Sequence, residues 1–333
     1  MPIKFIPQNI APDPKIRRIG IYNSKGNRAG QMPLGSLTPP APGRKLYSAG
    51  LLSDVHDSTK DAEDDFARAL DYFNGPGDAE IICICGDLTT NGTDSELSKY
   101  AALVQAHSPN VPVYAVTGNH DCYASLQSRI AEYTGHPLYY TINHGQDVFV
   151  MVGVSADGES NFLNAEVLQW LYEVLESNRN RRCFLFFHVL TTEGCGDAVN
   201  VYWGDKLANA TTSLVFKSLL RHYRNIVFFH GHSHMRFRLQ EYAANANYDD
   251  YFGCHSVHIP SVSIPRDSNG SNVTVYTDGS EGYLMDVYAD GIHLRGLDFV
   301  KGEFLPIASY WLDTTLQTVP AGTYTDSTGT IQI

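Results

Sequence analysis

Five short segments of the chain carry side chains that commonly bind metal ions in proteins. They are Asp54-Val55-His56, Gly86-Asp87, Gly118-Asn119-His120-Asp121, His188 and Gly231-His232-Ser233-His234. The candidate metal ligands in them are Asp54, His56, Asp87, Asn119, His188, His232 and His234. Imidazole nitrogens and hard oxygens without a thiolate suit manganese, iron or zinc. Such a set exceeds what one tetrahedral ion uses and fits two ions that share a carboxylate, roughly 3.5 to 4 Å apart.

Each segment has a simpler explanation when it is taken alone. Asp54 and His56 are compatible with a capping turn at a strand end, and Gly86-Asp87 with an ordinary turn. His188 alone would be a buried histidine that donates to a carbonyl. All five segments nevertheless occur in one chain, each at the end of a predicted strand, and this joint occurrence favours a metal site.

The elements that must position these segments are predicted from hydrophobic periodicity. Strands are predicted over 46–55, 80–85, 111–117, 139–144, 148–154, 183–188, 225–230, 236–242, 257–264, 282–288 and 291–299, and helices over 61–73, 95–107, 123–133, 165–177 and 212–223. Alternating strands and helices followed by further strands predict a sheet-rich α/β core with helices outside it. Loops at the carboxyl ends of such strands converge on one crevice, so segments that are distant in the chain can build one site.

The ends of the chain differ in composition from this regular middle part. Residues 1–44 are rich in proline and glycine and predict an arm and a linker; residues 45–300 form the predicted catalytic domain. Residues 301–333 are predicted to be a tail that forms a hairpin on the core or on a partner. Both terminal extensions are β-rich candidates for oligomer contacts.

Charge and cysteine usage narrow the expected partners and compartment. The formal net charge of −12 argues against a protein that coats long nucleic acids. It is compatible with a small phosphate ester, a nucleotide included, because bound cations invert the local potential. No run of about 18 apolar residues predicts a membrane span. The six cysteines include no CxxC pair, which favours a reducing cytoplasm.

The ordered set of five segments resembles the calcineurin-like metallophosphoesterase superfamily over about residues 46–300. This resemblance implies a four-layer α/β/β/α sandwich of two mixed sheets flanked by helices. It also implies two metal ions. Asp54, His56 and His234 would hold one ion, Asn119, His188 and His232 would hold the other, and Asp87 would bridge them.

Departures from the patterns of subfamilies indicate which members the chain is most similar to. Protein Ser/Thr phosphatases carry arginines soon after the positions of Asp87 and His120, and this chain has none there. Purple acid phosphatases have a tyrosine where Thr90 stands and a glycine where His56 stands. The stretch 86–96 is closer to bacterial cyclic-nucleotide-phosphodiesterase-like members.

The resemblance implies in-line attack on phosphorus by a hydroxide that bridges the two metals. His120 is the candidate for protonating the leaving group, or else only positions Asn119. Asp121 either orients His120 or caps the following helix. Arg266 either meets a substrate phosphate or has a structural role, and the structural role is favoured. His230, His255 and His258 are not expected to be ligands.

The absence of arginine clamps favours a phosphodiesterase. A phosphomonoesterase or nucleotidase with the same site is the alternative enzyme. A catalytically silent metal-binding scaffold for protein contacts is the alternative from a different class.

Overall fold

The computed structural model describes residues 18–22, 28–33, 43–57, 59–124, 129–155, 163–191, 194–196, 211–238, 247–250, 252–268, 273–275, 279–314, 324–326 and 329–331. In chain order its elements are β1 (Arg18–Tyr22), β2 (Arg28–Pro33), β3 (Tyr47–Leu52), α1 (Lys60–Asn74), β4 (Ile81–Cys85), α2 (Asp94–His107), β5 (Val113–Val116), α3 (Ile130–Thr134), β6 (Tyr139–His144), β7 (Asp147–Val152), α4 (Ala165–Ser177), β8 (Cys183–Phe187), α5 (Thr211–His222), β9 (Ile226–His230), β10 (Tyr248–Asp249), β11 (His255–His258), β12 (Arg266–Ser268), β13 (Val273–Val275), β14 (Glu281–Val287), β15 (Gly291–Asp298), β16 (Glu303–Asp313), β17 (Tyr324–Asp326) and β18 (Gly329–Ile331).

Two six-stranded mixed sheets form the centre of the molecule. Sheet I has the order β16-β15-β14-β3-β4-β5, and sheet II has the order β10-β11-β9-β8-β7-β6. Strands β3, β4 and β5 run parallel in sheet I, and β7, β8, β9 and β11 run parallel in sheet II. Helices flank these sheets, so the fold class predicted from the sequence is confirmed.

The sheets are apolar on both faces, as expected for strands that are covered on both sides. In β8, Phe184 and Phe186 belong to the core between the two sheets, whereas Leu185 and Phe187 belong to the core under α4 and α5. The rings of Phe186 and Phe229 stack with centroids 4.9 Å apart. Alternate residues of one strand therefore serve two different cores.

Helices α1 and α2 begin shortly after loops that carry the predicted ligands. The Thr59 hydroxyl caps α1 by accepting from the Ala62 N–H at 3.2 Å. Thr93 and Glu96 form a reciprocal capping box at the start of α2. These caps fix where the loops after β3 and β4 end. Among the described residues, no helix has both the length and the apolar character needed to cross a bilayer.

Three predicted elements differ in the structure. The predicted helix over 123–133 is a 3₁₀ turn at His120–Cys122 and the short α3, while residues 125–128 lie outside the described residues. The predicted strand over 257–264 ends at His258, because Pro260 and Pro265 bracket a segment that turns back toward the loop after β3. Residues 236–238 are not a strand, and 239–242 lie outside the described residues.

Both chain ends contain hairpin strands. β1 pairs with β2 and β17 pairs with β18, each antiparallel. β16, which follows the predicted boundary at residue 300, pairs along β15 as the edge strand of sheet I. Its buried residues Ala308, Tyr310 and Leu312 belong to the core between the sheets, so the central sandwich includes residues up to Asp313.

A buried polar network joins the two sheets at the amino ends of their parallel strands. Arg182, just before β8, donates to both carboxylate oxygens of Asp147 at 2.9 and 2.8 Å. Asp147 also accepts from the Tyr47 hydroxyl of sheet I at 2.5 Å. Arg182 Nη1 donates to the Tyr288 carbonyl at 2.9 Å. The network satisfies these buried groups and fixes the sheets at this end.

Gly50 of β3 provides a test of the packing between sheet I and α1. A Cβ at this position would lie 2.6 Å from the Phe73 ring, so Gly50→Ala overpacks the core. We expect a loss of about 1–3 kcal/mol in the free energy of unfolding, measured by urea denaturation. Gly43→Ala is the matched control, because nothing lies within 4 Å of its added Cβ. Equal stability of the two variants would contradict the packing described here.

Candidate metal centre

The loops at the carboxyl ends of the parallel strands bring six predicted ligands together. Ligand atoms of Asp54, His56, Asp87 and His234 lie within 4.8 Å of one another, and so do those of Asp87, His188 and His232. All six residues are buried. Asp87 belongs to both groups, which is the arrangement that two ions with a shared carboxylate require.

Both sheets contribute to this centre. Sheet I supplies Asp54 and His56 after β3 and Asp87 after β4, whereas sheet II supplies His188 after β8 and the loop after β9. That last loop carries His232 and His234. The centre therefore lies where the carboxyl ends of the two parallel strand sets meet.

Unusual backbone geometry directs the ligands into the crevice. Five of them have positive φ, a conformation uncommon outside glycine: Asp54 (54°), His56 (45°), Asp87 (51°), His232 (72°) and His234 (60°). Each such residue costs on the order of 1 kcal/mol or more, and persists only where the surrounding structure determines it. The strands turn sharply at these points, so residues two apart both reach the centre.

Two glycines allow the loops to approach each other closely. A Cβ at Gly118 would lie 2.1 Å from Asp87 Oδ1, and one at Gly231 would lie 1.9 Å from the Ser53 hydroxyl. Any side chain at either position would push the loops apart. The glycines that begin these two ligand segments are thus required for steric reasons.

Hydrogen bonds around the centre orient the ligand atoms. His188 Nδ1 lies 2.7 Å from the Cys85 carbonyl, and His234 Nδ1 lies 2.9 Å from the Ile264 carbonyl. A ring that donates from Nδ1 presents the lone pair of Nε2 to the centre. One oxygen of each carboxylate accepts a backbone N–H. Asp87 Oδ1 accepts from His120 at 2.9 Å, and Asp54 Oδ2 from His232 at 3.1 Å.

The remaining atoms fit bound cations. Among the described residues, Asp54 Oδ1, Asp87 Oδ2, Asn119 Oδ1 and His188 Nε2 are buried and make no hydrogen bond. His56 Nε2 and His234 Nε2 lie 3.1 Å apart, and His234 Nε2 is also 3.1 Å from Asp54 Oδ1. Metal–nitrogen bonds of about 2.1 Å hold ligand atoms at such separations. Cations would satisfy these acceptors, which would otherwise be costly to bury.

The two carboxylates and the histidines shift each other's pKa values. Burial disfavours the charged form of His188, but Asp87 and Asp54 outweigh it and raise its pKa to about 9. Burial, reinforced by neighbouring histidines, lowers the pKa of His56 and of His232 to about 3. His56 and His232 are thus ready to coordinate at neutral pH, whereas His188 must lose a proton first.

Asn119 and His120 lie at the mouth of the centre. Asn119 donates from Nδ2 to the Tyr123 hydroxyl at 3.2 Å, which leaves its Oδ1 for a cation. His120 Nδ1 lies 2.8 Å from the Thr90 carbonyl, and its ring contacts His56 edge-on at a centroid distance of 4.7 Å. Sequence reasoning missed Tyr123, although its spacing of four residues from Asn119 places the two one turn apart.

Asp121 makes a set of hydrogen bonds that the sequence did not predict. Its carboxylate accepts from the backbone N–H groups of Leu88, Thr89 and Gly118 at 3.1, 2.9 and 2.8 Å. The Thr89 hydroxyl donates a fourth hydrogen bond at 2.8 Å. These donors occupy both oxygens of Asp121, which thus ties the loops after β4 and β5 together.

Other histidines and a cysteine lie beside the centre without joining either ligand group. His258 Nε2 lies 3.0 Å from the Met235 carbonyl. His230 Nε2 lies 3.4 Å from Cys195 Sγ, a base that the sequence did not place near this thiol. Burial raises the pKa of Cys195 well above its usual value, which keeps the thiol protonated.

Comparison with known proteins gives the class to which this fold and site belong. The chain belongs to the calcineurin-like phosphoesterase family, whose model matches residues 48–236. This membership supports a hydrolase with a dinuclear metal centre.

Individual proteins that resemble this chain share 28% sequence identity or less with it. A probable glycerophosphodiester phosphodiesterase, GpdQ, of Arcobacter nitrofigilis is 28% identical over 114 residues, covering 33% of this chain and 41% of that protein. The purple acid phosphatase PPD1 of yellow lupin has a TM-score of 0.56 at 13% identity, covering 89% of this chain and 59% of the lupin protein. GAP50 of Plasmodium, described as the anchor in the inner membrane complex, has a TM-score of 0.54 at 14% identity, covering 87% of this chain and all (100%) of that one. The two structures show the shared fold alone.

Removing the Tyr123 hydroxyl tests whether it orients Asn119 toward a cation. We expect Tyr123→Phe to weaken binding of one of two manganese ions by about 10- to 100-fold, because the amide loses its fixed orientation. Calorimetric titration with manganese measures this change. Tyr133→Phe is the control, since its hydroxyl bonds Asp94 away from the centre. Unchanged affinity in Tyr123→Phe would show that Asn119 is not held in this way.

Proton release on metal binding tests the electrostatics of His188. A His188 pKa of about 9 means that metal displaces a proton at neutral pH. Manganese affinity should therefore rise with pH, by about tenfold per unit, until the pH passes that pKa. Calorimetry in two buffers of different ionisation enthalpy counts the released protons. Binding without proton release would mean that His188 is neutral before metal binds.

Proposed function

We propose that this chain hydrolyses phosphate diesters at a centre of two metal ions. One observation carries the proposal: two buried groups of ligands share Asp87 in a chain of the phosphoesterase family. Asp54, His56 and His234 would hold one ion, Asn119, His188 and His232 the other, and Asp87 both. The donor set suits manganese, iron or zinc.

Bound at these residues, two cations supply a water of lowered pKa and neutralise charge that develops on phosphoryl oxygens. The chain's own residues set up the rest of the reaction. The buried loops exclude bulk water from the ligands, while Asn119 and His120 are only half-buried and so face the approach to the centre. Substrate would enter from this side.

His120 is the proposed donor of a proton to the leaving group. Its Nδ1 is held by the Thr90 carbonyl at 2.8 Å, which fixes the ring and leaves Nε2 for the substrate. In the protonated ring, Nδ1–H stays on Thr90 while Nε2–H passes to the departing alkoxide or aryloxide oxygen. His120 would then recover a proton from solvent through the open mouth.

Two observations favour diesters over monoesters. The loops that carry Asp87 and His120 have no arginine to clamp a dianion. The bacterial relative with local likeness is a probable glycerophosphodiester phosphodiesterase. The proposed substrates are those of bacterial phosphodiesterases. The net charge of −12 favours small esters, including nucleotides, over long nucleic acids.

We further propose that the enzyme works in a reducing cytoplasm. All six cysteines are buried free thiols. Reduced cysteines are the rule in that compartment, and a chain of this size has no need of disulfides.

Parallel hydrolysis of bis(p-nitrophenyl) phosphate and p-nitrophenyl phosphate with manganese tests this function. Wild type should hydrolyse the diester faster. Asp87→Ala should lose about 10³-fold or more in rate, because the cations supply several kcal/mol of transition-state stabilisation. Asp64→Ala removes a half-exposed carboxylate on α1 and should match wild type.

Two outcomes would redirect the proposal. Faster hydrolysis of the monoester would favour a phosphomonoesterase or nucleotidase at the same site. If wild type hydrolyses neither ester and elemental analysis finds no bound metal, the chain is a scaffold for protein contacts instead.

A further inference from the structure

Arg266 begins β12, the strand that returns past the loop carrying His234. Its N–H donates to the His234 carbonyl at 2.8 Å, and its carbonyl accepts from the Arg236 N–H at 3.0 Å. Two residues earlier, the Ile264 carbonyl lies 2.9 Å from His234 Nδ1. The backbone of Arg266 is thus anchored directly to a ligand of the metal centre.

The neighbouring residue shows which way the Arg266 side chain points. Asp267 lies 2.9 Å from Arg236 Nη1, and Arg236 also contacts Glu281 at 3.2 Å. Successive side chains of a strand point to opposite faces. The side chain of Arg266 is therefore on the face of β12 opposite the Arg236 ion pairs.

Electrostatics supports this direction. Burial lowers the pKa of Arg266, and the carboxylates of Asp54 and Asp87 oppose that shift. The guanidinium stays charged at any physiological pH. It is half-buried beside the centre and within electrostatic reach of both carboxylates.

Metal binding changes what this guanidinium faces. Asp54 and Asp87 are the only carboxylates in the two ligand groups of the described residues, and two divalent cations outweigh their charge. A cationic centre with an adjacent guanidinium needs an anion. The planar fork of arginine matches two oxygens of one phosphoryl group.

We propose that Arg266 binds the non-bridging phosphoryl oxygens of the substrate and holds phosphorus in line with the attacking water. This inference rests on the proposed phosphoesterase function and adds a substrate-binding residue from outside the five ligand segments. It also replaces the structural role that the sequence favoured for Arg266. A diester has two non-bridging oxygens, and one planar guanidinium matches that number.

The test compares Arg266→Gln and Arg266→Lys with wild type in manganese-loaded protein. Three quantities are measured: metal content by elemental analysis, inorganic phosphate affinity by calorimetry, and kcat and KM for bis(p-nitrophenyl) phosphate. Arg68→Gln is the matched control, because Arg68 lies on α1 and pairs with Asp65.

We expect Arg266→Gln to bind phosphate about 10- to 100-fold more weakly, with a similar loss in kcat/KM and unchanged metal content. The phosphate affinity and kcat/KM of Arg266→Lys should lie between those of Arg266→Gln and wild type, since lysine keeps the charge but lacks the planar guanidinium. Arg68→Gln should match wild type.

Phosphate affinity within twofold of wild type in Arg266→Gln would overturn the proposal. So would a loss of bound metal in proportion to the loss of phosphate binding, which would make Arg266 a support for His234. If wild type hydrolyses neither ester, the proposed function fails, and the phosphate titration still decides whether Arg266 binds an anion.

Discussion

The burial of two carboxylates among four imidazoles is the constraint around which this molecule is organised. Asp54 and Asp87 have almost no solvent contact, and one oxygen of each lacks a hydrogen bond. Burying such charge is unfavourable unless a partner compensates it. Cations bound at the centre would provide that compensation. The strained loop backbone and the glycines at points of close approach all serve to keep these groups together.

The sandwich holds that strained arrangement in place. Left-handed conformations at Asp54 and Asp87 persist because their loops are extensions of central strands packed on both faces. Asp121 adds a local brace, since a single carboxylate gathers N–H groups from two loops. A residue that resembles an active-site acid in sequence is thus a structural tie between neighbouring loops.

Sequence patterns predicted the elements whose periodicity is strong and local. The helix over 165–177 and the strand over 139–144 were located to the residue, and both sheets follow from apolar runs such as β8. Sequence patterns failed to predict the elements whose ends or existence depend on tertiary contacts. Prolines turn the chain after β11, and β16 is held by pairing with β15 rather than by its own composition. The ion pair between Arg236 and Asp267, the neighbour of Arg266, is another tertiary contact that no local pattern reveals.

The two ends of the sandwich are held together by different interactions, and the Arg182–Asp147–Tyr47 network lies at one of them. At that end the sheets are joined by hydrogen bonds between protein side chains, which require no bound ion. At the opposite end, sheet I and sheet II meet through the side chains of the two candidate ligand groups. The two sheets are therefore joined by protein hydrogen bonds at one end and by candidate metal ligands at the other end. Ions bound at the centre would add a joint between the sheets at one end, whereas the Arg182–Asp147–Tyr47 network joins them at the other end without any ion.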